Sequence, residues 1–166
     1  MTNEKKIWTI AGIVSAATLA ALMIKRQRDI DLIARTAWGE DYTGGRDGMQ
    51  AVINVIDNRR KAGGWYGEGW RGVILKPYQF SIWNAATTEQ YKDDPTFKAY
   101  LTRITSVTEK DYNFALAKEL AAAAWDGDLP DITNGATHYK LPSAYASWAE
   151  GRTPVAMAGH HAFYIV

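Results

Sequence analysis

The amino-acid sequence predicts a mainly helical α+β domain that follows an N-terminal transmembrane helix. Apolar residues recur at spacings of three and four along much of the chain, which is the helical period. Two short segments near the C-terminus, 136–140 and 162–166, are typical of β-strands and are expected to pair in a small sheet. The segment 7–24 contains no charged residue and has basic residues on both sides.

Residues 1–28 are predicted to form a membrane anchor, and residues 29–166 a single folded domain. As a helix, the segment 7–24 would be roughly 27 Å long, close to the thickness of the hydrocarbon core of a bilayer. The segment is longer than the apolar region of a typical signal peptide and lacks a following cleavage site, so we expect it to be retained. Its basic flanks disfavour the alternative of a buried helix. Because many of its residues are small, its hold on the membrane is expected to be weak.

The composition excludes several kinds of partner and site. The chain has 19 basic and 18 acidic residues, a balance that does not favour binding to nucleic acid. It has no cysteine, which excludes a disulfide framework, a thiolate nucleophile and a thiolate metal site. The length suits one compact core, and we expect a monomer.

The first helix of the domain is predicted to carry Glu40 at its C-terminal end. Its apolar positions are Ile30, Ile33, Ala34, Ala37 and Trp38. A turn containing glycine follows, and a second helix is predicted from the same spacing at Met49, Val52, Ile53 and Ile56. The pair Gly63-Gly64 ends this helix. We expect the two helices to pack against each other.

Residues 65–83 are predicted to form a long surface segment without regular secondary structure. The sequence there has no clear period and contains Pro77, which disfavours a helix interior. Long ordered loops are often binding loops, and aromatic faces suit sugar rings. The alternative is that the aromatic side chains fill a small core. These aromatic residues are Trp65, Tyr66, Trp70, Tyr78, Phe80 and Trp83.

Two further helices are predicted from their capping residues. Asp94 precedes a proline, a combination typical of a helix start, and this helix is expected to run to about Ile104. Ser106 and Glu109 form a capping-box pattern ahead of a final helix, which Gly127 ends. We expect the final helix to be scaffold.

Glu40 is the candidate catalytic residue. It follows Trp38 and Gly39 and precedes a polar turn, a position from which its carboxyl group can lie at the floor of a cleft. Desolvation beside an aromatic ring would raise the pKa of this carboxyl group toward neutrality, as a general acid requires. The alternative is a solvated glutamate at the end of a helix.

Four blocks of sequence occur in the order of a known family. They are 34–40 with 45–59, then 76–84, then 135–139, and finally 154–164. Together they resemble the SleB-like cell wall hydrolases, the family of the spore-cortex-lytic enzymes. At the first block the family usually reads Gly-Glu-Ala-Arg-Gly-Glu, whereas residues 39–44 read Gly-Glu-Asp-Tyr-Thr-Gly. The first glutamate is kept and the second is absent.

The resemblance implies a lysozyme-like fold and an enzyme that cuts the glycan strand of bacterial peptidoglycan without a cofactor. The family's first glutamate is catalytic, which implies that Glu40 is the acid. The resemblance places the second block at the cleft, and we expect the third block to face it. The expected substrate-binding residues are Gln79, Phe80, Ser81, Trp83, Thr137 and Tyr139.

The N-terminal segment is similar to the signal-anchor-release segments of some bacteriophage endolysins. This similarity implies a phage endolysin at the inner membrane of the host cell. Its catalytic domain would face the periplasm, where peptidoglycan lies. The charges that flank the segment do not by themselves fix this orientation, because both flanks are basic.

Hydrolysis and transglycosylation of the glycan both remain open. A hydrolase generally needs a second carboxylate, for which Asp41 and Asp47 are the candidates near Glu40. A lytic transglycosylase needs none, because one glutamate can protonate the glycosidic oxygen and then activate the C6 hydroxyl group of the sugar. The product of that reaction is a 1,6-anhydro sugar.

Two alternatives belong to other classes. A zinc amidase would draw on His138, His160 and His161 with a carboxylate, but no zinc-type spacing is present. If His160 and His161 lie on a strand, they point to opposite faces, so at most one of them can join His138. A peptidoglycan-binding module without catalysis is the second alternative.

Overall fold

The structure is a computed structural model that describes residues 15–166. Six helices and a three-stranded sheet follow one another along these residues. They are α1 (Ser15–Asp41), α2 (Gly45–Ala62), α3 (Gly69–Ile74), α4 (Asn84–Thr87), α5 (Pro95–Ser106), α6 (Tyr112–Asp126), β1 (His138–Lys140), β2 (Ala156–Ala158) and β3 (His161–Tyr164). The predicted class, mainly helical with a small sheet, is confirmed.

The hydrophobic core lies where α1, α2 and α6 pack against one another. The predicted apolar faces of the first two helices point into it, and Ile33, Ala37, Met49 and Ile53 are fully buried. Phe114 of α6 fills the space between these faces. Removal of this apolar surface from water is the main stabilising contribution to such a core.

The first half of α1 lies outside the core. Its exposed large apolar residues are Leu19, Leu22, Met23 and Ile24. The predicted transmembrane helix, 7–24, lies partly outside the described residues, and its residues 15–24 form the start of α1. Within residues 15–166, no helix has the length and apolar character needed to cross a membrane. The predicted domain boundary after residue 28 falls inside α1, where exposed residues give way to buried ones.

The prediction of a long irregular surface segment at 65–83 is wrong in part. This stretch contains α3 and the short 3-10 turn Ser81–Trp83. Trp70, Phe80 and Trp83 are buried, whereas Trp65 and Tyr78 are exposed. Helix α3 forms because its apolar side chains pack against α1 and α2. That long-range contact has no local sequence signal.

The helix caps agree with the sequence at three of four ends. Asp94 caps α5 as predicted, and its carboxylate accepts two backbone N–H hydrogen bonds of 2.8 and 3.2 Å. The predicted capping box of Ser106 and Glu109 is wrong, because the carboxylate of Asp111 caps α6 through a 2.9 Å hydrogen bond. Gly127 ends α6 in the left-handed conformation with a φ of 86°, as predicted, and α2 stops at the predicted glycine pair.

The sheet has the strand order β1-β3-β2, and both pairs are antiparallel. The predicted pairing of the two C-terminal segments is confirmed, with Tyr139 opposite Phe163. Strand β2 is absent from the sequence prediction, because its Ala-Met-Ala sequence has no alternating pattern. Phe163 packs on Ala51 and Val55 of α2, which places the sheet against that helix.

Candidate active site

The end of α1 carries two consecutive carboxyl groups into a cleft. Gly39, just before them, is tightly packed: a Cβ there would lie 2.7 Å from Cγ2 of Ile104 and 2.8 Å from Cδ1 of Ile82. Because Gly39 has no side chain, α5 and the Ser81–Trp83 turn can close on the end of α1. The side chains that follow Gly39 are thereby held between α5 and the sheet.

The carboxyl group of Glu40 is withdrawn from water. Its Oε2 accepts a 2.9 Å hydrogen bond from the hydroxyl group of Tyr139. Its Oε1 is buried and has no hydrogen-bond partner among residues 15–166. Burial raises the pKa of Glu40, while the hydrogen bond from Tyr139 and the charges of His161 and Arg59 oppose the rise. A carboxyl group that keeps its proton inside a cleft can act as a general acid.

The aromatic ring next to Glu40 is not the one that the sequence suggests. Trp38 stacks on Tyr42 with a centroid distance of 5.1 Å and meets the edge of Phe114 at 6.3 Å. Residues two positions apart on a helix do not face each other. The ring that meets the carboxyl group is that of Tyr139, from β1.

Arg59, in the last turn of α2, supplies a buried positive charge behind the site. Its Nε donates a 2.7 Å hydrogen bond to the carbonyl group of Thr137. Its guanidinium group packs over the rings of Tyr66 and Phe80, at 5.7 and 5.3 Å from their centroids. Arginine stays charged even when burial lowers its pKa, as it does here. This cation stabilises a carboxylate form of Glu40.

The cleft beside Glu40 has a volume of about 530 Å³. It is lined by Gly39, Glu40, Asp41, Thr43, Ser81, Ile82, Tyr100, Arg103, Leu141, His160 and His161. A larger hollow of about 920 Å³ lies between α1 and α3 and contains none of the predicted site residues. The cleft therefore remains the candidate site, because it alone of the two holds the perturbed carboxyl group.

Asp41 lies beside Glu40 in the opposite electrostatic environment. Its Oδ1 pairs with Nδ1 of His160 at 2.7 Å, and its Oδ2 pairs with Nδ1 of His161 at 3.2 Å. The backbone N–H of His160 donates a further hydrogen bond of 3.1 Å to Oδ2. Burial alone would raise the pKa of Asp41, but the hydrogen bonds from both histidines outweigh it and hold the pKa below its ordinary value. Asp41 thus ionises more readily than its neighbour Glu40.

Three glycines form a cradle around the carboxylate of Asp41. They are Gly44, Gly48 and Gly159, and a Cβ at any of them would overlap with this carboxylate. Gly48 belongs to α2, whereas Gly159 lies in the turn between β2 and β3. The glycine cradle therefore brings the first turns of α2 and the sheet together around one buried charge.

A row of aromatic rings leads away from the cleft. Tyr100 lines the cleft, and its ring centroid lies 6.1 Å from that of Phe97. The row continues to Tyr91 at 4.4 Å and then to Tyr78 at 6.2 Å. Both ends of the row, Tyr100 and Tyr78, are exposed.

Comparison with known proteins identifies the family. A family model described as a cell wall hydrolase matches residues 43–164. The chain belongs to the cell wall hydrolase family. The fold is similar to that of the catalytic domain of the Bacillus cereus SleB protein, with a TM-score of 0.58 and 26% identity over 82% of this chain and 89% of that chain. Among curated proteins, no significant match to the chain was found.

These similarities confirm that the protein is a SleB-like cell wall hydrolase with a mainly helical fold. They do not test every feature predicted from the sequence. The matched range begins at Thr43, after Glu40, so the catalytic role of Glu40 stays a prediction. The lysozyme-like description of the fold and the membrane anchor also stay predictions.

Two of the predicted substrate-binding residues of this cell wall hydrolase lie close to Glu40. Ser81 lines the cleft, and the hydroxyl group of Tyr139 reaches Glu40 directly. Gln79 is half-buried, and the hydroxyl group of Thr137 contacts the ring of the next residue at 3.0 Å. Neither Gln79 nor Thr137 is among the residues that line the cleft.

The other two predicted substrate-binding residues are part of the hydrophobic core. Phe80 and Trp83 are 2% and 7% exposed, so their rings are closed to a sugar in this structure. Trp83 donates a 3.0 Å hydrogen bond from Nε1 to the hydroxyl group of Thr36. The ring of Phe80 instead covers the guanidinium group of Arg59. The family block at 76–84 thus contributes to the site mostly through core packing, and it lines the cleft through Ser81 and Ile82.

The sequence does not indicate several residues of the site. Tyr100 and Arg103 carry no motif, and they reach the cleft only because α5 packs on the end of α1. The sequence singles out Asp41 as a second carboxylate and His160 as a metal ligand, but it does not link them. They are 119 positions apart, a separation at which no local pattern signals a contact.

The three candidate zinc ligands do not all come together. His160 and His161 contact Asp41, whereas the ring of His138 packs between two aromatic rings at 6.1 and 5.0 Å. Burial and the charges of two arginines lower the pKa of His138 to about 4. In the part of the chain that the structure describes, no three His, Asp or Glu side chains are arranged to hold a metal ion.

We expect Gly48→Ala to lower the free energy of unfolding by about 1–3 kcal/mol, because the new methyl group collides with the carboxylate of Asp41. Gly72→Ala is the matched control in α3, where a Cβ meets its nearest neighbour at an ordinary 3.7 Å. A glycine-to-alanine change in a helix normally stabilises by up to about 1 kcal/mol. Urea unfolding of both variants measures the difference. Equal stabilities would contradict the glycine cradle.

Proposed function

We propose that this cell wall hydrolase cleaves the glycan strand of bacterial peptidoglycan, with Glu40 as the general acid. The observation that carries the proposal is the Glu40 carboxyl group: it lies in a polar cleft, its pKa is raised, and Oε1 has no partner among the described residues. The family and the likeness to the SleB catalytic domain support peptidoglycan as the substrate.

The proposed reaction begins with proton transfer from the carboxyl group of Glu40 to the bridging oxygen of a glycosidic bond. The hydrogen bond from Tyr139 to Oε2 fixes the orientation of this carboxyl group in the cleft. The bond between the sugar C1 and the bridging oxygen breaks as that oxygen takes the proton. The resulting Glu40 carboxylate is stabilised by Tyr139 and by the charge of Arg59.

Neither Asp41 nor Asp47 is placed to act as the second carboxylate of a retaining hydrolase. Such an enzyme uses its second carboxylate as a nucleophile. Both oxygens of Asp41 are engaged by histidines, which does not favour attack on a sugar. Asp47 is exposed in the first turn of α2, makes no helix-capping hydrogen bond and is not among the cleft residues. These positions favour direct attack by a hydroxyl group, from water or from C6 of the same sugar.

The aromatic row from Tyr100 to Tyr78 supports a polymeric sugar substrate. An extended chain needs contacts beyond the cleaved bond, and aromatic faces suit the apolar faces of sugar rings. The guanidinium group of Arg103 lies 6.0 Å from the ring of Tyr100 and adds hydrogen-bond donors at the cleft end of the row. Neither the amidase nor the binding-module alternative is favoured by an observation of comparable specificity.

The proposed setting is that of a phage endolysin held at the inner membrane, with its catalytic domain in the periplasm. The uncharged segment 7–24 supports an anchor, and the apolar residues of its described part are exposed. We expect the full chain, produced in a Gram-negative cell, to stay in the membrane pellet after alkaline carbonate extraction. Recovery of the full chain in the carbonate supernatant would contradict the anchor.

We expect Glu40→Gln to abolish the release of glycan fragments from purified sacculi, because the amide cannot donate the proton. Mass spectrometry of the wild-type products distinguishes the reactions: anhydromuramic ends indicate transglycosylation, reducing ends hydrolysis, and free stem peptides an amidase. The matched control is Glu119→Gln, an exposed position on α6, which should leave the rate unchanged. Wild-type lysis by Glu40→Gln would contradict the proposal.

Loss of activity in Glu40→Gln should not come from unfolding. The pKa of Glu40 in the folded protein is higher than that of a glutamate in an unfolded chain, which is about 4.3. As the pH rises from there through the raised pKa of Glu40, the wild type should therefore lose stability relative to the glutamine variant. At neutral pH we expect the variant to be at least as stable as the wild type in urea.

We expect Tyr139→Phe to move the alkaline limb of the kcat/KM profile to higher pH. The hydrogen bond from Tyr139 favours the carboxylate form of Glu40, so its loss raises the pKa of the acid further. The maximal rate should fall, because Oε2 is no longer held. Tyr112→Phe, at an exposed position of α6, is the control. An alkaline limb that stays in place or moves to lower pH would show that Tyr139 does not act on the acid.

A further inference from the structure

His160 is a polar group of the cleft that the proton transfer from Glu40 does not use. Its side chain is 52% exposed and lines the same cleft as Glu40. One edge of its ring is fixed, because Nδ1 lies 2.7 Å from Oδ1 of Asp41. The backbone N–H of His160 is bound to the other oxygen of the same carboxylate at 3.1 Å.

The contact with Asp41 determines which ring nitrogen of His160 can accept a proton. An ionised carboxylate has only acceptor sites, so Nδ1 of His160 must carry the hydrogen of this contact. In a neutral imidazole the other nitrogen, Nε2, then has the free lone pair. Among residues 15–166, none forms a hydrogen bond with this nitrogen. Nε2 of His160, a residue that lines the cleft, is therefore free to act as a base.

Asp41, the partner of His160, is enclosed far more tightly than the carboxylate of an ordinary surface ion pair. The Asp41 side chain is only 2% exposed, and the glycine cradle leaves room for its carboxylate and for little else. His161, 10% exposed, holds the second oxygen from the buried side. The hydrogen bonds from both histidines lower the pKa of Asp41 and so favour its charged form.

We propose that His160 is a second catalytic residue, whose Nε2 accepts the proton of the hydroxyl group that attacks the cleaved sugar. Asp41 is the positioning residue that fixes the tautomer and the orientation of His160. The inference rests on the proposed function, since it assigns the proton acceptor of that same reaction. His160 thereby takes the role of the second carboxylate, for which the sequence offers Asp41 as a candidate.

The proton balance of this step is complete without a further reactant. Glu40 gives its proton to the bridging oxygen as the bond from that oxygen to C1 breaks. The attacking oxygen bonds to C1, and its proton passes to Nε2 of His160. His160 then releases a proton to solvent, and Glu40 takes one up from solvent. The same account holds whether the attacking hydroxyl group belongs to water or to C6 of the sugar.

The first experiment compares His160→Asn with the wild type as full-length protein on purified sacculi. The asparagine amide can still donate to Asp41 but has no atom that can take a proton. We expect kcat to fall by at least about 100-fold, the size of a general-base contribution, with urea stability close to that of the wild type.

The charged or titratable groups that share the cleft with His160 are Asp41, His161, Glu40, Tyr100 and Arg103, and they remain in place in this variant. Asp41→Asn should lower kcat less than His160→Asn does, because it disturbs the tautomer without removing the base. Asp47→Asn, which changes an exposed carboxylate of α2 that is not among the cleft residues, is the matched control and should not change kcat.

A second experiment separates catalysis from a structural role. We expect free imidazole to restore lysis by His160→Ala in proportion to its concentration, and to have no effect on Glu40→Gln. An inactive His160→Ala variant that imidazole does not restore would overturn the inference. So would a His160→Asn variant with the wild-type kcat. If Glu40→Gln is inactive while His160→Asn is fully active, only this inference fails; if both variants are fully active, the proposed function fails as well.

Discussion

The site depends on the removal of one carboxyl group from water at the end of a helix. Glu40 lies in the last turn of α1, close to the negative end of the helix dipole. This turn contains no basic side chain that would offset the dipole. Burial and the dipole both oppose ionisation. One residue later, Asp41 is held as an anion by two histidines and lies against the first turn of α2. Neighbouring carboxyl groups whose pKa values are shifted in opposite directions are an arrangement that acid–base chemistry uses.

This arrangement has a cost in stability that the rest of the fold must offset. An oxygen such as Oε1 of Glu40, buried without a hydrogen-bond partner among the described residues, costs on the order of 1–3 kcal/mol. The compensation comes from the large core between α1, α2 and α6 and from the close approach of α5 at Gly39. The sheet contributes less to the core, but its strands supply Tyr139 and His161, and the turn between β2 and β3 supplies His160. It therefore acts mainly to bring distant parts of the chain to the end of α1.

The sequence predicts those parts of the fold and site that local patterns determine. The faces of α1 and α2, the cap at Asp94, the end at Gly127 and the pairing of β1 with β3 each follow from neighbouring residues or from a simple period. The position of Glu40 at a helix end follows from the same reasoning. What the sequence could not give are contacts between distant segments. Helix α3 forms through packing on α1 and α2, and Phe80 and Trp83 are drawn into the core by the same contacts. The pairing of Asp41 with His160 spans 119 positions.

Helix α1 is continuous from its exposed apolar half to the acid at its end. Between Leu22 and Glu40 the rise of the helix is roughly 27 Å. Because the helix is continuous, its two ends keep a fixed distance and orientation. A surface that binds Leu22 and its neighbours would therefore determine both the distance and the tilt of the cleft relative to that surface. The reach of the enzyme is thus fixed by the length of a helix, and inserting or deleting a single residue between the two ends would rotate the exposed half by about 100° relative to the cleft.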